Sequence, residues 1–304
     1  MWDDARSARP GPQRRLIQTL ARIFGTALLS FSLLVAAGSL PGQSDFALSA
    51  GGGPDLALIL TRAAEYCDKL DRAVLYFVCH ETINEWFRPS ARPGFPSSGH
   101  RRIVFGATET HHYVYDYQLI RGREGVVQES RTLLKEDGKD VKVPEAALKT
   151  RLFWHAKVVM GPLGLLSRER QAYHDYRIVR EEKIRGETAL VVEAVPKPGI
   201  RLQHLFGTIW LRKKDAGILK IEWNPASIDN YQGVEETAQR LHMTPSLLVI
   251  SEYAYEKNGI RFPSRYTLKE IYSQGKSGRR FERSEIDVVY DQYKFFRVET
   301  DVKF

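Results

Sequence analysis

Between Phe206 and Trp223 apolar and polar positions alternate. Ile209 and Leu211, then Leu219, Ile221 and Trp223, stand against Arg212, Lys220 and Glu222. A period of two predicts strands, not helix. The interruption Lys213-Lys214-Asp215-Ala216-Gly217 predicts a turn with Gly217 at positive φ, so the two arms pair as a hairpin. Upstream, Tyr176–Ile184 and Ala189–Pro196 read as two further strands joined at Arg185-Gly186, with Leu190, Val192 and Ala194 sharing one face. Pro196 and Pro198 end the second of them.

The same period recurs along the chain. VLYFVCHETINEWF predicts a strand, RRIVFGATE another, and HHYVYDYQLI a third with Tyr113, Tyr115 and Tyr117 on one side. LLVISEYAYEK and IRFPSRYTLKEIY flank Asn258-Gly259, the strongest short-range hairpin signal, and FERSEIDVVYDQYKFF closes the series. Helical spacing appears in three places. Leu56, Ile59, Leu60, Ala63, Ala64, Cys67 and Leu70 fall on one helical face after Pro54; Ala146, Ala147, Leu148, Leu152 and Phe153 suggest a helix; and Ile228, Tyr231, Val234, Ala238 and Leu241 suggest a short one before Pro245. The run VVMGPLGLLS that follows Phe153 is apolar but broken by Gly161, Pro162 and Gly164, which fits either a flap over a groove or a loop packed on the core.

This pattern predicts a mainly β (α+β) fold: a curled antiparallel sheet or incomplete β-barrel wrapped around one to three helices. With 304 residues and 43% hydrophobic content, one domain over 54–304 is expected, with helical insertions near 144–166 and 227–245.

The first fifty residues differ. Arg6, Arg9, Arg14, Arg15 and Arg22 precede the nearly uncharged Ile23–Ala37, followed by Gly38-Ser39-Leu40-Pro41-Gly42. That is the plan of a secretory signal peptide, cleaved between 37 and 50, with 38–53 as a flexible linker. The run is shorter than the roughly twenty residues of a comfortable membrane span; an uncleaved inner-membrane anchor is the alternative. Export makes a Cys67–Cys79 disulfide the expectation for the only two cysteines, with two unpaired thiols as the alternative.

No H-E-x-x-H, G-x-S-x-G or G-x-x-x-x-G-K-[ST] pattern occurs. Glu81 and Glu85 near His80, or Glu181 with Glu182, are the only acid–base pairs to pose, and runs of this kind ordinarily form a solvated face. His111 and His112 point to opposite faces of a strand, so they do not share an ion. The expectation is a protein that is not an enzyme, with no cofactor and no metal. Net charge is +8; the first fifty residues hold five Arg and three Asp, which leaves 40 basic and 34 acidic residues after them. A modest basic excess suits anionic lipid headgroups and lacks the aromatic-interleaved clusters of a nucleic-acid surface, so no nucleic acid is expected.

The succession Arg185-Gly186-Glu187 with Ala189, a strand ending in Pro196, then Gly207–Arg212, a turn and Ile218–Glu222 resembles the periplasmic lipoprotein-carrier superfamily, the LolA, LolB and RseB (MucB) half-barrels. The resemblance implies an incomplete antiparallel barrel wrapped around helices, in a periplasmic protein whose apolar inner face takes a lipid, an acyl chain or a lipoprotein. Groove candidates on that reading are Leu190, Val192, Ile209, Leu211, Leu219, Ile221, Trp223, Tyr253, Tyr255, Tyr266 and Leu268. An anionic membrane surface or another envelope protein is a further possible partner. The alternative is a non-catalytic envelope scaffold or interaction module with a self-filled core.

Overall fold

The computed structural model describes residues 55–89, 92–93, 103–104, 106–122, 125–200, 205–228, 231–275 and 279–296. The expected signal peptide, its cleavage region and the linker lie outside these residues. Pro54–Ile120 with Gln128–Phe304 group as one compact unit.

Eleven strands form one sheet in the order β6 (Lys139–Val143), β5 (Val127–Glu136), β4 (Glu109–Arg121), β1 (Phe77–Phe87), β15 (Arg279–Phe295), β14 (Arg265–Gln274), β11 (Thr244–Glu252), β10 (Ile218–Trp223), β9 (Gly207–Arg212), β8 (Glu187–Pro196) and β7 (His174–Ile184). Adjacent strands run antiparallel, and β6 and β7 remain as edges, so the sheet curls without closing. Two short pairs stand outside it, β2 (Arg92–Pro93) with β3 (Ile103–Val104) and β12 (Tyr255–Lys257) with β13 (Ile260–Phe262). The Asn258-Gly259 turn does join a hairpin, with φ of 52° and 73°, but it is this small outer one.

Directly opposed residues share a face, so the register traces the concave surface across the sheet. One row runs Ile178, Val192, Ile209, Ile221, Ser251, Tyr266, Val288, Ile83 and Tyr113. A second runs Tyr176, Ala194, Gly207, Trp223, Val249, Leu268, Ile286, Glu85 and His111.

Helix α1 (Leu56–Ala73) starts where the Asp55 carboxylate accepts the N–H groups of Ala57 and Leu58, and it buries Ile59, Ala63, Ala64, Tyr66, Cys67 and Leu70. A 3-10 turn (Val158–Met160) leads into α2 (Gly161–Leu166) and α3 (Arg168–Gln171), and α4 (Tyr231–Leu241) buries Val234, Thr237 and Ala238.

Three expectations are corrected. The helix expected from Ala146 to Phe153 is absent; the segment bends at Arg151 and Leu152, where the inner-face Glu85 carboxylate accepts their amides, and Trp154 stands exposed between the buried Phe153 and His155. Gly217 is not at positive φ: Ala216 takes the left-handed conformation, at 58°. Cys67 and Cys79 are both free and buried. The Cys67 thiol donates to the Pro162 carbonyl at 3.6 Å, while Cys79 sits against the Tyr293 hydroxyl, so each thiol is turned to a different neighbour. Burial pushes both thiols well above their ordinary range.

Candidate functional site: the filled concave face

The groove candidates fall into three groups. Leu190, Val192, Ile209, Leu211, Ile221, Trp223, Tyr253, Tyr266 and Leu268 are buried, at most 6% exposed, and the strand members among them share the concave face. Leu219 does not join them. A bulge between Ile218 and Lys220 gives Ile218 the place opposite Leu211, and Leu219 packs with Ala189, Val191 and Trp210 in a separate cluster on the convex side. Tyr255 is half-buried in an aromatic stack with Tyr293, ring centroids 4.5 Å apart, away from the main sheet rows.

What covers the apolar side of the concave face is the protein itself. Residues 151–166 form a strap across it, of which Val158, Val159, Leu165 and Leu166 are buried. A Cβ on Gly161 would lie 2.9 Å from a ring carbon of Trp223, so only glycine lets the strap settle this closely on the indole. The Tyr253 hydroxyl donates to the Val158 carbonyl at 3.3 Å, and that of Tyr176 to the Leu165 carbonyl. Trp223 in turn donates its Nε1–H to Ser251 Oγ at 2.8 Å. Helix α1 packs on α2 and on β13, where the Tyr66 hydroxyl donates to the Arg261 carbonyl at 2.6 Å.

The other side of the same face is polar. Glu81, fully buried, accepts from Arg131 Nε at 2.5 Å and Nη2 at 3.1 Å, from the Tyr290 hydroxyl at 2.9 Å, and bonds His155 Nε2 at 3.0 Å. Arg131 also reaches Glu129, which accepts the Lys157 N–H at 2.6 Å. Glu85 accepts the N–H of Arg151 at 2.8 Å and of Leu152 at 3.3 Å. Three carboxylates of β1 and β5 thus hold the strap at residues 151, 152, 155 and 157. Burial works to raise the Glu81 pKa, but the Arg131 charge and then the His155 bond outweigh it and hold the carboxyl well below its usual range. At Glu85 burial outweighs the Arg151 and Leu152 amides and raises the pKa.

A second buried set lies on β14 and β15. Glu270 accepts from Arg283 Nη1 at 2.8 Å, from Ser284 Oγ at 2.9 Å and from the Tyr272 hydroxyl. Every carboxylate in these sets is engaged by a cation, a hydroxyl or a backbone amide. The arrangement fixes chain segments. His112 bonds Asn84 at 2.8 Å while His111 lies toward Asp137 at 3.6 Å, so the two imidazoles serve different neighbours.

The sequence reading placed Glu81 and Glu85 on a solvated face, and the structure corrects this. The signal was present: both alternate with Phe77, Cys79, Ile83 and Phe87, all buried, and a period of two sets them inside. Arg131 likewise keeps step with Leu133, and His155 with Phe153.

No family model matches the chain, and no curated protein matches it. Solved structures similar to it include a DUF1329 family protein from Desulfovibrio piger, at 12% identity and TM-score 0.36, covering 82% of this chain and 96% of that one. A LolA superfamily protein from Nitrosomonas europaea gives 14% identity and TM-score 0.31, covering 79% and 94%. A putative outer membrane lipoprotein-sorting protein domain from Vibrio parahaemolyticus gives 10% and 0.37, covering 80% and 94%. The half-barrel is established by the strand order and register of this chain itself, and it is the fold that the sequence resemblance implied.

Proposed function

We propose that the protein is an exported envelope protein that acts by binding and not by catalysis, with a self-filled half-barrel as the frame of a scaffold or interaction module. One observation carries this reading. The concave face where a ligand would lie is occupied by the protein's own strap, with α1 packed on α2, and the nine candidates are at most 6% exposed. Export rests on the arginine-led apolar segment before residue 38. The buried ionic sets support the non-enzymatic reading, since their carboxylates are spent on holding backbone and side chains in place.

A second reading, a carrier or sensor of a lipid or lipoprotein acyl chain, is favoured by the chemistry of the cover. Val158–Leu166 is apolar and carries Gly161, Pro162 and Gly164, and an acyl chain taking its place on Trp223, Ile221 and Ile209 would remove about 0.8 kcal/mol of apolar exposure per methylene from water. Mass spectrometry of an organic extract of the purified protein separates the two. The first reading expects a lipid-free extract and no uptake of a fluorescent fatty acid; stoichiometric lipid in the extract would replace it with the second.

A further inference from the structure

The strap has an outer side that the interior does not explain. From Ala146 to Arg168 there is neither Asp nor Glu, while Lys149, Arg151, Lys157 and Arg168 fall within the run. The inward groups are used, Phe153, His155, Val158, Val159, Leu165 and Leu166 being buried. Outward stand Trp154, 38% exposed, with Arg151 and Ala156 exposed and Leu152, Met160 and Leu163 half-buried. Leu205, also exposed, lies against Gly164.

An exposed indole beside cations, on a segment without acidic residues, matches the boundary of an anionic bilayer. Tryptophan concentrates at headgroup depth because its ring is apolar and its N–H is polar, and nearby Lys and Arg are drawn to anionic lipid. We propose that the outward side of residues 151–164 is a docking surface for an anionic lipid bilayer, with Trp154 seated among the headgroups and Arg151 against the phosphates. Lys149 pairs with Glu136 at 2.6 Å and Arg168 with Asp68 at 4.0 Å, exposed pairs of a kind that contributes little and gives way to lipid phosphate. An exposed indole with cations around it and no acidic residue in the run favours an anionic lipid surface. This docking does not depend on what fills the concave face.

Bromolipid quenching of tryptophan fluorescence tests it on the full chain, with Trp154→Phe as the subtraction so that the signal is that of Trp154 alone. Vesicles of brominated phosphatidylglycerol are expected to quench the wild type more than Trp154→Phe, with the excess lost in brominated phosphatidylcholine vesicles, at high salt, and in Arg151→Glu. Both residues are exposed, so circular dichroism of the variants should match the wild type. Equal quenching of wild type and Trp154→Phe by the anionic vesicles overturns the proposal, and so does equal quenching by both lipids.

Discussion

Glu81 is charged, has no solvent access, and touches three elements at once through Arg131, Tyr290 and His155. Removing its charge leaves Arg131 buried with only Glu129 to answer it, and breaking a buried pair of this kind costs about 3–5 kcal/mol. Glu81→Gln should therefore lower stability by that order in urea unfolding. The pH dependence has a definite sign. Because the folded-state pKa is depressed, the stabilisation is fully present above the unfolded-state value of about 4.3 and is lost as pH falls toward the folded one. The wild type should lose stability through that acidic window, and Glu81→Gln should lose less there. The cysteines give a simpler check. Unreduced protein unfolded in guanidinium should titrate two thiols with a thiol reagent, and folded protein none, since both are buried and free; no titratable thiol after unfolding would restore the disulfide.

At the scale of elements, the strap shows what alternation alone conveys and where it stops. Strands such as Phe77–Phe87 and Glu109–Arg121 were legible because they keep a period of two, and Tyr113, Tyr115 and Tyr117 are all inside as their spacing requires. Residues 146–153 were misread because their helical spacing is a local preference, while Glu85 takes up the amides of Arg151 and Leu152 from a strand over sixty residues away in sequence. Leu219 was misplaced for a different reason: a one-residue bulge reverses the face, and nothing in the alternation announces it. Gly161 is where strap and sheet come closest. Gly161→Val would press a branched side chain into Trp223 and should cost about 1–3 kcal/mol, by analogy with other overpacked cores, measured by thermal unfolding. Ile221→Ala, which opens a cavity under the strap, should cost about 2–5 kcal/mol.

For the whole molecule, the hairpin neighbours could be anticipated from turns, but the join of the two chain ends in the middle of the sheet could not. The first strand of the sheet pairs with the last, Ile83 opposite Val288, and only long-range packing brings them together. The exposed rims are managed by charge: β7 carries Arg177, Arg180, Glu181 and Lys183 and a bulge after Ile178, a combination that resists pairing with another chain. Of the concave site, the apolar rows were legible and VVMGPLGLLS stood as either a flap or a packed loop, because alternation marks a residue as inward without saying which segment it meets there.

Hydrogen exchange at the amides of Arg151, Leu152 and Lys157 tests most directly whether the strap is a fixed part of the interior. These N–H groups are bonded to Glu85 and Glu129, so the strap should exchange on the slow timescale of the β1 and β15 amides. Rapid exchange at these three positions while β1 and β15 stay protected would show a strap that opens on its own, and the self-filled core would be contradicted.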